Sequence, residues 1–250
     1  IGAAGTNNAK GMSSINWEIG VLPVRVLGRC GAGSLQDVVD AIRWAAGFEI
    51  RAGVGEPAPP PKNPNPARII NLSLGMDRPC TLEIAGHLRA AIEDAVAAGV
   101  VVVAAAGNSA IEADGATPAG CPGVITDAAS DARGHLVARY SNWGPRVDVL
   151  APGGDGERDD DGDKLPDSVW SAVKPGGDWP DGIAPMDGTS MAAPHVSGVI
   201  ALGMAAIPEL LGNPTAVLDR LRKSVLPVSK TECPKLCGTG FLNADKFVRR

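Results

Sequence analysis

Asp187-Gly188-Thr189-Ser190-Met191-Ala192-Ala193-Pro194-His195 leads into Val196-Ser-Gly-Val-Ile-Ala-Leu202, an apolar run of small residues that predicts a helix from Ser190 to about Ala206. The Gly188-Thr189 turn delivers Ser190 to the start of that helix. There a hydroxyl sits among unpaired backbone N–H groups at the positive end of the macrodipole, where a developing oxyanion is stabilised. Gly188 lets the backbone approach a substrate closely. Ser190 therefore reads either as a helix N-cap or as a candidate nucleophile.

Working outward, apolar blocks alternate with helical periodicity. Val21-Leu-Pro-Val-Arg-Val-Leu27 predicts a strand, and Ser34 with Asp37 forms a capping box opening a helix to about Ala46. The proline-rich segment 56–67 can be neither helix nor central strand and reads as an exposed loop rather than a partner-binding motif. Arg68–Leu72 predicts a buried strand ending in Ser73-Leu74-Gly75, and Leu82 to Ala98 a helix stopped by Gly99. Val100–Ala105 is apolar throughout, as in a parallel strand covered on both faces, and ends at Ala106-Gly107-Asn108. Further strands are predicted at 123–126 and 147–150. This alternation indicates βαβ units, hence an α/β fold with a doubly wound parallel sheet, helices on both faces and a site at the carboxyl ends of the strands. The 250 residues read as one domain, 1–250, with a core large enough to be stable. With only 4% aromatic residues but 32 glycines, that core must be aliphatic and closely packed.

A net charge of -5 with no basic cluster argues against a nucleic-acid partner. The apolar stretch 191–207 is interrupted by Pro194, His195, Ser197 and Gly198 and reads as a buried helix rather than a membrane span. The first residues carry neither the basic start nor the apolar centre of a signal peptide, so any such segment is expected to have been removed. Among the five cysteines, Cys233 and Cys237 can bridge a turn, and Cys80 and Cys121 can staple a helix to a strand. Zinc suits a C-x3-C pair without nearby histidines poorly. Two disulfides and a secreted setting are favoured, leaving Cys30 either buried or separated from a partner outside this chain.

The run GTSMAAPHVSGVIAL closely resembles the nucleophile motif of the subtilisin-like serine peptidases. NLSLG (71–75) and AAAGN (104–108) occur in the same order and context, and the resemblance runs from Ile1 to about Ala244. It implies Ser190 as nucleophile, Asn108 as the oxyanion amide beside the Ser190 N–H, and Ser73, Leu74, Gly75, Ala106 and Gly107 as the lining of a peptide-binding cleft. The family's Asp-Ser/Thr-Gly and His-Gly-Thr-His-Val-Ala-Gly motifs have no counterpart here. Ile1 reads as following the place where the histidine motif would end, so the triad aspartate and histidine are expected on an N-terminal fragment, cleaved or carried on another chain. None of the chain's own histidines suits as a replacement. His195 lies about 500° around the helix from Ser190, and His87 and His135 read as surface residues. The functions open to such a chain are a secreted peptidase completed by that fragment, an esterase working on activated esters with Ser190 and the oxyanion hole, and a non-catalytic remnant that binds peptide.

The loop Asp155-Gly-Glu-Arg-Asp-Asp-Asp-Gly-Asp-Lys-Leu-Pro-Asp167 carries a separate signal. Asp159, Asp161, Asp163 and Asp167 around Gly162 resemble extracellular D-x-D-G-D calcium repeats and are read as calcium ligands. Asn7-Asn8 resembles a second, incomplete calcium loop.

Overall fold

A computed structural model describes residues 1–2, 12–51, 58–176 and 181–249. Four parallel strands, β1 (Ile69–Leu72), β2 (Val101–Ala105), β3 (Val124–Ser130) and β4 (Val149–Pro152), lie side by side in chain order. Every residue of β2 and β3 is buried, because helices cover both faces. Val101, Val103 and Ala105 meet α3 (Thr189–Ala206), through Ala192, Val196 and Ile200 among others. Val102 and Ala104 point the other way, with Ile70 and Leu72, onto α1 (Leu35–Ala45) and α2 (Leu82–Ala97).

Local chemistry sets the helix ends. Ser34 Oγ accepts from Asp37 N and the Asp37 carboxylate accepts from Ser34 N, completing the expected capping box. Thr81 caps α2, and Gly99, at φ +85°, turns the chain out of it. By length and composition α3 is apolar enough to cross a membrane, contrary to the sequence expectation, but 56% of it is buried, and its core side packs on the sheet. Behind it, α4 (Pro214–Lys223) and α5 (Ala244–Val248) bring Val217, Leu221 and the fully buried Phe247 into the same core.

The segment 21–27 corrects an expectation. It forms no strand: Pro23 cannot donate to a ladder, and no strand among the described residues runs alongside to pair with it. Val26 packs against the α1/α2 layer, while Val21, Leu22, Val24 and Leu27 are exposed. A small antiparallel pair, β5 (Val169–Ala172) with β6 (Ile183–Met186), was also not expected and feeds the chain into Asp187. The Cys80–Cys121 and Cys233–Cys237 disulfides are present. Cys30 is exposed and free, so of the two expectations for it burial is excluded.

Asp127 is at odds with this core. It stands in the middle of β3 between Ala105 and Val149, fully buried, and neither carboxyl oxygen has a hydrogen-bond partner among the described residues. Burial holds its pKa well above the usual carboxylate range, and the nearby Asp148 charge adds to the shift. A carboxyl that binds its proton more tightly folded than unfolded contributes fully below its unfolded value, about pH 4. That contribution is lost as pH rises through the elevated folded value. Asp127→Val is therefore expected to raise neutral-pH stability by about 2 kcal/mol, the cost of an unpaired buried polar group. Urea unfolding at several pH values checks this: the gain should shrink toward pH 4 and grow above it.

Candidate active site

The carboxyl ends of the strands and the start of α3 meet at one place. Gly188 caps α3 with φ +147°, a conformation that disfavours other residues, and its N–H donates to Gly153 O just past β4 at 2.9 Å. A Cβ here would sit 3.1 Å from Asn108 Nδ2. The cap is thus Gly188, not Ser190, which occupies the first helical turn with its hydroxyl free of a capping role. Ser190 Oγ makes a long bond to Ser73 O, 3.4 Å, and Ser73 Oγ donates to Ser190 O at 2.8 Å. These two bonds tie the start of α3 to the segment that follows β1.

Asn108 follows β2 and faces the same turn. Its Oδ1 accepts from both Thr189 N and Thr189 Oγ1, each at 2.9 Å, and Thr189 Oγ1 in turn accepts from Gly107 N at 3.1 Å. Two donors on one end of the amide fix its orientation. Nδ2 has no acceptor among the described residues and stands beside the Gly188 cap of α3.

Two supports were not found by reading the sequence. Asn142, completely buried, accepts at Oδ1 from Ser109 N (3.0 Å) and Ile111 N (3.2 Å) and donates from Nδ2 to Ala106 O (2.8 Å). It thereby frames the loop carrying Asn108. Gly107 has φ +107°, and a Cβ there would approach Asn142 Nδ2 to 2.4 Å. On the other side, Asp187 Oδ2 accepts from Gly156 N at 2.8 Å and lies 3.6 Å from Arg139, which also pairs with Asp155 at 2.7 Å. The neighbouring Tyr140 donates to Gly154 O at 2.6 Å, and burial together with the Asp187 charge raises its pKa, so the phenol stays protonated. Nothing in the sequence around Asn142, between Ser141 and Trp143, marks this role.

The histidines stand elsewhere. His195 Nδ1 contacts Met191 O at 2.8 Å, and burial lowers its pKa, so the ring is neutral and engaged with its own helix. His87 is exposed on α2, across the sheet from α3, and His135 closes a turn in which its N–H donates to Asp131 Oδ1 at 2.9 Å. None of them hydrogen-bonds to Ser190.

A cleft of about 130 Å³ opens beside Ser190 and Asn108. Leu74 and Gly75 line one side, Ala106 and Gly107 another, with Ala116 and Thr117 between. Ser73 contacts Ser190 but does not line the cleft. The Met76–Thr117 bridge, with both N–H···O bonds at 2.9 Å, joins two of its walls.

In the acidic loop, Asp159, Asp161 and Asp163 each place a carboxylate oxygen within 4.8 Å of the others. Asp167 is outside that group, and its Oδ2 accepts from Asp160 N at 2.8 Å. Asn7-Asn8 lies outside the described residues.

Residues 1–240 match the subtilase family. An extracellular protease of Xanthomonas campestris pv. campestris is 40% identical over 248 residues, covering 98% of this chain and 38% of that protein. An extracellular basic protease of Dichelobacter nodosus is 36% identical over 206 residues, covering 82% of this chain and 30% of its own length. Among solved structures, a protease from Pseudoalteromonas arctica PAMC 21717 superposes with a TM-score of 0.81 at 36% identity, over 99% of this chain and 67% of that one. The chain thus spans well under half of the two curated relatives named.

Proposed function

Because this chain belongs to the subtilase family, we propose that it is the nucleophile-bearing part of a secreted serine peptidase that cleaves peptide bonds through an acyl-enzyme on Ser190. The observation that carries this reading is the Asn108 amide, held at Oδ1 by Thr189, with Nδ2 beside the Gly188 turn that precedes Ser190. Ser190 Oγ attacks the substrate carbonyl carbon and passes its proton to a base. The carbonyl oxygen, now negative, takes hydrogen bonds from Asn108 Nδ2 and Ser190 N, which stabilise the developing charge. Collapse expels the amine, which takes the proton from the base, and water then releases the acyl group by the same steps in reverse. Ser73, Leu74 and Gly75 offer main chain for an extended substrate, and Ala106 and Gly107 the facing wall.

The base is an imidazole carried by a segment outside these 250 residues, together with its orienting carboxylate. What supports this is that none of the chain's three histidines hydrogen-bonds to Ser190, with the His195 ring held at Met191 O. Secretion accords with the two disulfides and with relatives named as extracellular proteases. The test is cleavage of a casein-type substrate with and without a segment supplying the imidazole. Cleavage only when it is supplied supports the reading, and intact substrate in both arms counts against it.

Ester hydrolysis by the chain alone is a second reading, favoured by oxyanion donors that do not depend on the base. Turnover of p-nitrophenyl acetate that vanishes in Ser190→Ala would support it. If neither activity exists, peptide binding without turnover is what remains.

Asp159, Asp161 and Asp163 fit a hard cation, offering three carboxylate oxygens in a tight loop, and calcium there would be structural. Millimolar calcium is expected to raise Tm by a few degrees, with the shift absent in Asp161→Asn. An equal shift in the variant would place the effect elsewhere.

A further inference from the structure

Asp77 is a carboxylate in the cleft beside Ser190 for which nothing above has a use. It follows Met76, whose main chain is fixed to Thr117 by two bonds of 2.9 Å, and Gly75, where a Cβ would meet Thr117 O at 2.8 Å. The wall leading to Asp77 therefore has little freedom. Ser109 Oγ donates to Asp77 Oδ2 at 2.6 Å. Ser109 directly follows Asn108 and is held by Asn142, so this bond links the Met76 segment to the loop carrying the oxyanion amide. The charge stays uncompensated: Asp77 takes part in no ion pair among the described residues, and the carbonyl of the adjacent Arg78 accepts from Thr117 Oγ1 at 2.7 Å.

The remaining lining mixes small or aliphatic residues, among them Ala105, Ala106, Ala116 and Leu74, with the polar Asn108, Thr117, Thr189 and Ser190. Such a slot packs against a methylene stem and presents one carboxylate to whatever the stem carries. An ammonium or guanidinium supplies the missing charge and donates to Asp77. A carboxylate on the entering side chain is repelled, and an aliphatic one takes water from Asp77 without giving it a donor.

The geometry points to a specificity role: Asp77 makes this cleft select lysine or arginine on the residue whose carbonyl carbon meets Ser190. The assignment rests on the reading of Ser190 as nucleophile, since only that fixes which substrate residue enters the cleft. Asp77 touches the substrate side chain, not the reacting atoms. It should therefore act on binding and on the choice among substrates, and not on the acyl chemistry itself.

The test separates the two readings by measuring binding where no turnover is possible. Fluorescein-labelled Ala-Ala-Pro-Arg, Ala-Ala-Pro-citrulline and Ala-Ala-Pro-Leu, each with a free C-terminal carboxylate, are titrated by anisotropy into the Ser190→Ala chain. Citrulline keeps the shape of arginine and removes its charge. Arginine is expected to bind at least about tenfold tighter than either neutral peptide, with the advantage shrinking at high salt. Asp77→Asn should reduce it to near parity. Arginine and citrulline binding alike, no binding of the arginine peptide, or an advantage that survives in Asp77→Asn overturns the proposal. The arginine and citrulline comparison needs no change at Asp77, so a folding defect in that variant does not remove the test. Peptide cleavage by the completed enzyme without basic preference would sink the role of Asp77 and leave that of Ser190 standing. Tight arginine binding with no cleavage would do the opposite.

Discussion

Ser190→Ala is expected to abolish turnover of peptides and activated esters alike, a loss of about 10⁶-fold in kcat once an imidazole base is supplied. The size follows from the work that one oxygen performs. Without Oγ no acyl-enzyme forms, and the donors at Asn108 and Ser190 N can assist only direct attack by water. Folding should be nearly untouched, because Gly188 rather than Ser190 caps α3 and the hydroxyl makes only a long bond to Ser73 O. The bond that does tie the two segments, from Ser73 Oγ to Ser190 O, uses the main chain and survives the substitution. Progress curves with a peptide and with p-nitrophenyl acetate, beside urea midpoints, check both halves. An unchanged midpoint with lost turnover is the expected pair of results.

Asn108→Asp is expected to lower kcat by roughly 10²–10³-fold with little change in stability, the range typical of removing one oxyanion donor. The substitution separates the two ends of the amide. A carboxylate keeps the Oδ1 acceptor for Thr189 N and Thr189 Oγ1, so the turn before Ser190 stays anchored. It loses the Nδ2 donor and sets a negative charge where the oxyanion develops. Asn108→Ala should show a similar loss of rate plus a measurable drop in stability, since Thr189 is fully buried and its N–H and hydroxyl would lose their acceptor. If the aspartate variant kept wild-type kcat, Nδ2 would have no part in the chemistry.

The layout of the fold was legible because its strands announce themselves. Val101–Ala105 is apolar without interruption, and such a run fits a strand with helices on both sides. The cap at Ser34 was equally local, set by a residue whose preference does not depend on distant partners. Segment 21–27 was misread for the complementary reason. Its valines and leucines have strand propensity, but a strand exists only where a neighbour offers a ladder, and that is tertiary information. Ser190 and Asn108 could be singled out by pattern, whereas the direction of the Asn108 amide depends on Thr189, 81 residues away. Asn142 was invisible, because its three bonds reach Ala106, Ser109 and Ile111 across 31 to 36 residues. Asp127 could not be recognised as an orphan either: only the burial of Ala105 and Val149 on both sides denies it a partner.

We propose that Ser190 is an acylation-ready nucleophile lacking only its base. The most direct measurement is peptide-mapped mass spectrometry of the 250-residue chain after brief exposure to an activated ester, with and without added imidazole. The account predicts a single acyl group on Ser190, formed faster with imidazole, slowed in Asn108→Asp and absent in Ser190→Ala. Imidazole-independent labelling scattered over other serines, with Ser190 unmodified, would contradict it.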